Sequence, residues 1–348
     1  MMELRIYTPD LRRVGQAENQ TSVRWRRKFY EPGEFEIHLP ITPTNLSLFE
    51  KDNLVTYRGA AEAGVISSIE REESDLKDEM TIKGNFLSIY MNRRIIKSTV
   101  NFSGKTEKAM FDLYNGCTAL PNVTCADLKG FTDTVTFQAT YKNLLNIEKK
   151  LSAASLIGFR FRPDFANRRI IFETYKGTDH TVEQHTNKRV IFSETYNNLK
   201  NVKYDYNNDL LKTYAIVGGE GEGSARKIVT VGGGEGLDLR EMFVDAKDLQ
   251  QGDLTDAQYE AALKQRGIDA LNAAAAAETI EPETEPAINF TYKTDYDLGD
   301  IVTVKKKNWN LTQSLKITEL EEVYEYGAMT VVPTFGSNLP ETVNWDED

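Results

Sequence analysis

The sequence predicts an α+β protein, mainly β, and three observations carry that expectation. Residues 296–336 hold three strand patterns in close succession, the closing half of a small antiparallel barrel whose partner strands must lie earlier in the chain. Residues 3–96 read as a first run of short strands separated by turn residues. Helical periodicity gathers instead in residues 86–154 and 254–277, so helices and strands largely occupy separate stretches. At 348 residues the chain is long enough for about two or three compact units, each able to bury a core.

The first strands are expected at residues 4–7 and 23–30, followed by Phe35, Ile37 and Leu39 alternating with Glu34, Glu36 and His38. Glu31-Pro32-Gly33 joins the last two: proline presets φ for the turn and glycine accepts the positive φ of the next position, so a hairpin is expected there. A helical turn at 44–50 precedes strands at 54–58, 64–70 and 81–84. From Phe86 the spacing becomes helical, with Leu87, Ile89 and Tyr90 ahead of Arg93 and Arg94. Helices follow at 106–114, with Ala109, Met110 and Leu113 on one face, and at 141–154, with Leu144, Ile147, Leu151 and Ala154. Strands resume at 158–162 and 169–175 around a turn at Pro163-Asp164, and again at 189–192, 199–206 and 212–217.

Residues 218–236 are rich in glycine and flank a candidate hairpin strand at 227–231. The strongest helix follows at 254–277, where Thr255 and Gln258 suit a capping box, Tyr259, Leu263 and Leu271 recur at helical spacing, and Gly267 weakens the middle. Residues 278–286, with two prolines and four acids, read as an extended linker that hands the chain back to its last strands. There, Leu298-Gly299-Asp300 supplies a turn, Ile301, Val302 and Val304 a short β-branched strand, and residues 305–310 a polar loop. Leu315 and Ile317 restart a two-residue alternation, Leu320 breaks its parity as a bulge would, and the strand runs through Val323 and Tyr324 to a turn at Gly327. Residues 329–335 are the last strand, ended by Gly336. The spacing of Asp52-Asn53-Leu54-Val55, Gly64-Val65-Ile66 and Ile69 echoes that of Gly299-Asp300-Ile301-Val302, Leu315, Ile317 and Leu320. Such an echo is either an internal repeat or a chance likeness of two β segments.

Net charge is −11 with the acids spread along the chain, which argues against a protein that tracks phosphates, so sequence-specific nucleic-acid binding is not expected. The local basic cluster Arg24, Arg26, Arg27 and Lys28 reads as the solvent face of a strand whose inward residues are Val23, Trp25 and Phe29; nucleic-acid contact is the competing reading. No segment has the apolar length to span a bilayer, so a soluble chain without stable membrane insertion is expected. The amino terminus lacks the apolar core and cleavage site of a secretory signal, which points to synthesis in the cytoplasm. Cys117 and Cys125 are too few for a disulfide scaffold and lack the spacing of a zinc knuckle or redox motif; both are expected as thiols.

The sequence assigns no catalytic, cofactor or metal residue. Glycine runs at 217–224 and 231–237 lack the lysine of a phosphate loop, and Glu220, Glu222 and Glu235 would repel phosphate where bare amides should cradle it, so a surface hairpin is the better reading. His38, His180 and His185 are the only histidines; His180 and His185 have neither a cysteine nor a helical glutamate to share zinc with and read as part of an exposed loop. No nucleophile elbow or nearby Cys–His pair is present, which leaves carboxylates as the catalytic candidates. Glu72-Glu73, Glu321-Glu322 and the terminal Asp346, Glu347 and Asp348 all read as solvated, so no enzyme is expected.

Several weak motifs gain force from their order. These are Glu31-Pro32-Gly33-Glu34-Phe35-Glu36-Ile37 with Leu39-Pro40, Gly64-Val65-Ile66, Tyr175-Lys176-Gly177-Thr178-Asp179 and Val190-Ile191-Phe192-Ser193. Asn198-Leu199, Tyr214-Ala215-Ile216-Val217-Gly218-Gly219-Glu220, Leu298-Gly299-Asp300-Ile301-Val302 and Thr334-Phe335-Gly336 continue the series. In order and spacing, over nearly the whole chain, it resembles the baseplate hub or tail-tip proteins of tailed bacteriophages and phage-tail-like bacteriocins. The resemblance implies two related antiparallel, tail-tube-like β-barrels and an outer α/β domain. Residues 1–97 would be the first barrel, 98–188 with 220–286 the outer domain, 189–219 with 287–335 the second barrel, and 336–348 an acidic tail.

It also implies a homotrimer whose barrels ring a central channel in pseudo-sixfold fashion, held by barrel contacts and strand-edge pairing. One face of the ring would meet a sixfold tail tube or distal tail protein and the other a threefold spike, fibre or tip, with the tape measure protein a further partner; an acidic channel wall would let DNA slide. The sequence stops soon after Phe335-Gly336, where many relatives carry a lytic or receptor-binding module, so those activities are expected of another protein, with residues 338–348, including Pro340, Val343 and Trp345, as a dock for it. No cofactor is implied. Two other readings stay open: a tail-associated cell-wall hydrolase working through carboxylates, and a carbohydrate-binding tip protein using Trp309, Trp345 and the tyrosines.

Overall fold

The computed structural model describes residues 2–74, 77–275, 277–283 and 289–336, so the expected docking segment 338–348 lies outside the described residues. The first stretch folds as β1 (Leu4–Tyr7), β2 (Arg13–Ala17), β3 (Ser22–Lys28), β4 (Glu34–Pro40), α1 (Pro43–Leu48), β5 (Leu54–Tyr57), β6 (Gly64–Ser74) and β7 (Lys77–Phe86). A 3₁₀ turn at Leu87–Arg93 leads into β8 (Val100–Lys105), α2 (Thr106–Gly116), β9 (Val123–Cys125), β10 (Thr134–Ala139), α3 (Leu144–Ser155), β11 (Gly158–Asp164) and β12 (Arg169–Tyr175). Next come β13 (Ile191–Ser193), β14 (Lys200–Asn207), β15 (Tyr214–Gly218), β16 (Ile228–Gly232), β17 (Glu241–Asp245) and α4 (Asp256–Ala273). The chain ends in β18 (Ala277–Glu283), β19 (Ile301–Lys306), β20 (Leu311–Glu325) and β21 (Ala328–Gly336). With 43% strand and 21% helix it is mainly β, as expected.

Thirteen strands form one sheet in the order β14-β18-β21-β20-β3-β4-β7-β6-β5-β1-β2, with β19 beside β20 and β13 beside β19. No barrel closes among the described residues; β2 and β14 are the ends of the ladder. The sheet instead divides into two half-walls of matched neighbour order. One runs β3-β4-β7-β6-β5-β1 and the other β14-β18-β21-β20-β19-β13. The match extends to register. Ile66 lies opposite Gly84 and Ile69 opposite Ile82, while Ile317 lies opposite Phe335 and Leu320 opposite Pro333, a constant displacement along the chain. Both ladders slip at the same place, between Ile66 and Ser68 and between Ile317 and Glu319, which is the bulge that Leu320 predicted. In both, one backbone clasp precedes the bulge: Ile66 bonds the Asp52 and Asn53 backbone at 3.1 and 2.9 Å, and Ile317 bonds that of Gly299 and Asp300 at 2.8 Å each. The final parallel pair β13–β19 departs from the match, because β1 meets β5 antiparallel.

Each half-wall covers its own core. Alternation turns Val23, Trp25, Phe35, Ile37 and Leu39 inward onto Ile66, Met80 and Ile82 in the first. Phe192, Ile280, Val302, Val304, Ile317, Leu320 and Phe335 do the same in the second. The intervening chain forms two further cores. In one, α2 and α3 pack against β11 and β12 through Met110, Leu113, Ile147, Leu151, Phe161 and Phe172. In the other, α4 packs on the β16-β15-β17 sheet. Its start carries the predicted capping box of Thr255 and Gln258. Gly267, which weakens the helix as a helix, is required by packing: a Cβ there would come within 2.6 Å of Val231 and 2.7 Å of Val217.

The structure corrects the sequence reading at several points. The expected linker at 278–286 is in part β18, paired with both β14 and β21; the buried Ile280 is too faint a signal among prolines and acids. Residues 284–288 lie outside the described residues. Tyr214–Gly218, expected in the second barrel, pairs with β16 and β17 and shares the core of α4. Pro163 and Asp164 belong to β11, opposite Ile170 and Arg169, so the turn falls at 165–168. β19 extends through Lys306, shortening the expected polar loop. β2, β8, β9, β10 and β17 are missed by the sequence reading: β8 and β10 do alternate, with Val135, Phe137 and Ala139 inward on β10, whereas β2, β9 and β17 are held extended by their partners.

Candidate functional site

The seam where the half-walls meet is the pairing of β20 with β3, antiparallel, with Glu321 opposite Arg26 and Glu322 opposite Trp25. Strands from opposite ends of the chain meet here, so the seam is where one wall is made from two. Its outer face is a ladder of alternating charge. Arg26 bridges Glu321 at 3.1 Å and Glu34 at 3.2 Å, Lys28 meets Glu31 at 3.2 Å, and Lys83 meets Glu36 at 3.3 Å. His38 lies 2.7 Å from Glu36 and 3.2 Å from Glu79. Exposed pairs of this kind contribute about 0–1 kcal/mol each, so they specify cross-strand register more than they stabilise. A shallow groove of about 390 Å³ follows the ladder, lined by Arg24, Arg26, Glu34, Glu36, Lys83 and Glu321.

The inner face of the seam holds a buried ionic joint. Arg27 is 2% exposed, and its guanidinium donates to Glu62 at 3.0–3.2 Å, to the Tyr292 hydroxyl at 2.9 Å, and to Asp297. Glu322, 1% exposed, accepts from the hydroxyls of Tyr57 and of Tyr292, the latter at 2.7 Å, and pairs with Lys293 at 3.0 Å. Arg160 of β11 reaches Glu62 at 3.5 Å, so the middle of the chain is tied to the same point. Burial disfavours the Arg27 charge, but Glu62, Tyr292 and Asp297 outweigh it and raise its pKa further. Burial, then Glu322, pushes the Tyr57 phenol far up, so it stays a neutral donor. Carboxylates, cations and phenols here saturate one another, which makes a fastener between segments.

Both ends of this joint correct the sequence reading. Arg27 is expected on the solvent face, yet it shares parity with the inward Val23, Trp25 and Phe29 and is buried with them. Glu322 is expected to be solvated, yet it shares parity with Leu320 and Tyr324. Parity is the available signal, and the charged neighbours on either side mask it. Glu72 and Glu73 are exposed, as expected; Asp346, Glu347 and Asp348 lie outside the described residues.

The other singled-out residues are not brought together. Arg226 fills the first glycine run, donating to the Gly218 and Gly219 carbonyls at 2.8 and 3.0 Å, where a phosphate would have to sit. His180 contacts the Lys188 carbonyl at 2.7 Å and His185 meets Arg189 at 2.8 Å; among the described residues no group of three His, Cys, Asp or Glu could hold a metal ion. Cys117 and Cys125 are free thiols, and burial pushes Cys125 up to about 11. Trp309 stands half exposed beside Tyr204, ring centres 6.3 Å apart, with the Lys306 ammonium 5.2 Å from its ring; Trp345 lies outside the described residues. No helix among the described residues is long and apolar enough to cross a membrane.

A family model described as Siphovirus ReqiPepy6 Gp37-like protein matches residues 3–337. Among curated protein sequences none matches the chain. Among solved structures, the fold is similar to the tail protein from Neisseria meningitidis MC58, at 10% identity and TM-score 0.61 over 98% of this chain and 99% of that one. It is similar to the 43 kDa tail protein of prophage MuSo2 from Shewanella oneidensis, at 10% identity and TM-score 0.60 over 96% and 98%. The prophage tail protein gp18 from Listeria monocytogenes EGD-e matches at 13% identity and TM-score 0.57 over 97% and 94%.

Proposed function

The chain belongs to the Siphovirus ReqiPepy6 Gp37-like protein family, and from that membership and its doubled wall we propose that it is a structural hub of a phage tail or tail-like particle. Three protomers form a ring of six half-walls around a central channel. Such a ring presents approximate sixfold symmetry to a tail tube or distal tail protein and threefold symmetry to a spike or tip, with the tape measure protein reaching it through the channel. The role is mechanical, not catalytic, and its place is the baseplate of the assembled particle. The observation that carries this reading is the matched neighbour order and shared bulge of the two half-walls, since a chain that builds one wall segment twice can satisfy both symmetries. The Arg27 joint supports it by locking the two copies into one rigid body.

Native mass measurement of the purified chain at tens of micromolar tests the proposal. A species of three times the chain mass is expected. A monomer, or a closed ring of another order, overturns it.

A further inference from the structure

β20 is a strand in two parts. Residues 311–316 pair with β19, and beyond the bulge residues 319–325 pair on the same side with β3. β6 has the same build, because Gly64 and Val65 pair with β5 before its bulge. Beyond that bulge, residues 68–74 have β7 on one side and, among the described residues, no strand on the other. A backbone edge of that length is a template for another strand.

The strand that fits is already in the chain. Among the described residues β14 ends the sheet, paired with β18 on one edge and with no strand on the other. It holds in the second half-wall the place β3 holds in the first: Trp25 opposite Phe35 and Arg26 opposite Glu34 become Tyr204 opposite Ile280 and Asp205 opposite Thr279. Yet the side chains fare differently. Trp25 and Arg27 are 0% and 2% exposed, whereas their counterparts Tyr204 and Tyr206 are 40% and 54% exposed. Two large aromatics on the face that is buried in the matched strand mark a surface built to be covered.

We infer that β14 of one protomer adds antiparallel to residues 68–74 of β6 in the next, in the register of β3 on β20. This rests on the ring proposed above and names the contact that closes it. Transferring the β3–β20 pairs sets Lys203 opposite Glu72, Tyr204 opposite Arg71 and Tyr206 opposite Ile69. These are an ion pair, a cation over a ring and an apolar contact, all favourable across strands. One pair is adverse: Asp205 faces Glu70 where the seam within the chain has Arg26 against Glu321 at 3.1 Å. Two different patches meet, so the contact is head-to-tail and propagates around a ring, which a twofold dimer would not allow.

The test is disulfide trapping in the full chain. Lys203→Cys combined with Glu72→Cys is expected to give covalent dimers and trimers on mild oxidation, while each single variant and the off-register pair Lys203→Cys with Glu73→Cys do not. In parallel, Asp205→Arg is expected to lower the concentration at which the ring dissociates by about threefold or more, and Lys203→Glu to raise it by a similar factor. A native trimer without the cross-link, or one cross-linked equally well off register, overturns this contact and leaves the ring standing. A monomer overturns both.

Discussion

β3 and β14 occupy the same position in two half-walls of the same order, and one is finished where the other is open. β3 is paired on both edges, its inward side chains buried against strands of its own chain. Among the described residues β14 is paired on one edge, and it shows two tyrosines. Their compositions follow from that difference. A strand whose cover is supplied in the same polypeptide can bury a charge, because Glu62, Tyr292 and Asp297 arrive with it and in fixed geometry. β14, open in the single chain, carries amphipathic rings instead, which tolerate water and in the proposed ring would supply contact area.

The largest effect should come from breaking the buried side of this pair. Arg27→Leu takes the guanidinium from Asp297 and leaves Glu62 only the more distant Arg160 at 3.5 Å, and a loss of about 3–5 kcal/mol in urea unfolding is expected. Tyr206→Ala, at the matched position of β14, should change the stability of the dilute protomer by no more than about 0.5 kcal/mol, its cost appearing when the ring forms. Equal losses at both positions would mean that β14 is already covered in the single chain, and the contrast would fail.

The same two half-walls show what a sequence reveals. The pairing of β3 with β4, the bulge before Leu320 and the cap at Thr255 are legible because each is set by residues near in the chain; the positive φ expected at Gly33 is not found, and glycine is required there because a Cβ would lie 2.3 Å from the Arg26 carbonyl. Arg27 and Glu322 are not legible, because burial of a charge depends on partners such as Tyr292 and Glu62 that local periodicity does not bring near. β18 is hidden for a related reason. It is a strand of mostly polar sequence in which Ile280 is buried, held extended by β14 and β21 rather than by its own propensity. The echo between the two half-walls is only a spacing in the sequence, and the backbone clasps at Ile66 and Ile317 make it a shared structure.

Those clasps also supply the next effect in size. Gly299 has φ +93°, and a Cβ there would lie 2.3 Å from the Phe29 ring, so Gly299→Ala combines left-handed strain with overpacking. A loss of about 2–4 kcal/mol is expected in the same unfolding measurement. A loss below about 1 kcal/mol would show that Phe29 yields, and that the second half-wall is softer at this turn than the matched register suggests.

The smallest effect belongs to the counterpart of Gly299 in the first half-wall. Asp52 has φ 66°, the same left-handed backbone, but its side chain is open to solvent and meets Arg93 at 3.7 Å across a surface pair. Asp52→Gly removes the left-handed strain, gives up that weak pair and loosens the unfolded chain, three terms of similar size and mixed sign. The expected change is within about 0.5 kcal/mol. The reason lies in what stands behind each turn: Phe29 crowds Gly299 because the seam brings β3 against the second half-wall, while among the described residues no strand of the second half-wall pairs with β5 or with the start of β6 beside Asp52. A loss above about 1.5 kcal/mol at Asp52 would place an unrecognised structural partner there and break the equivalence of these matched turns.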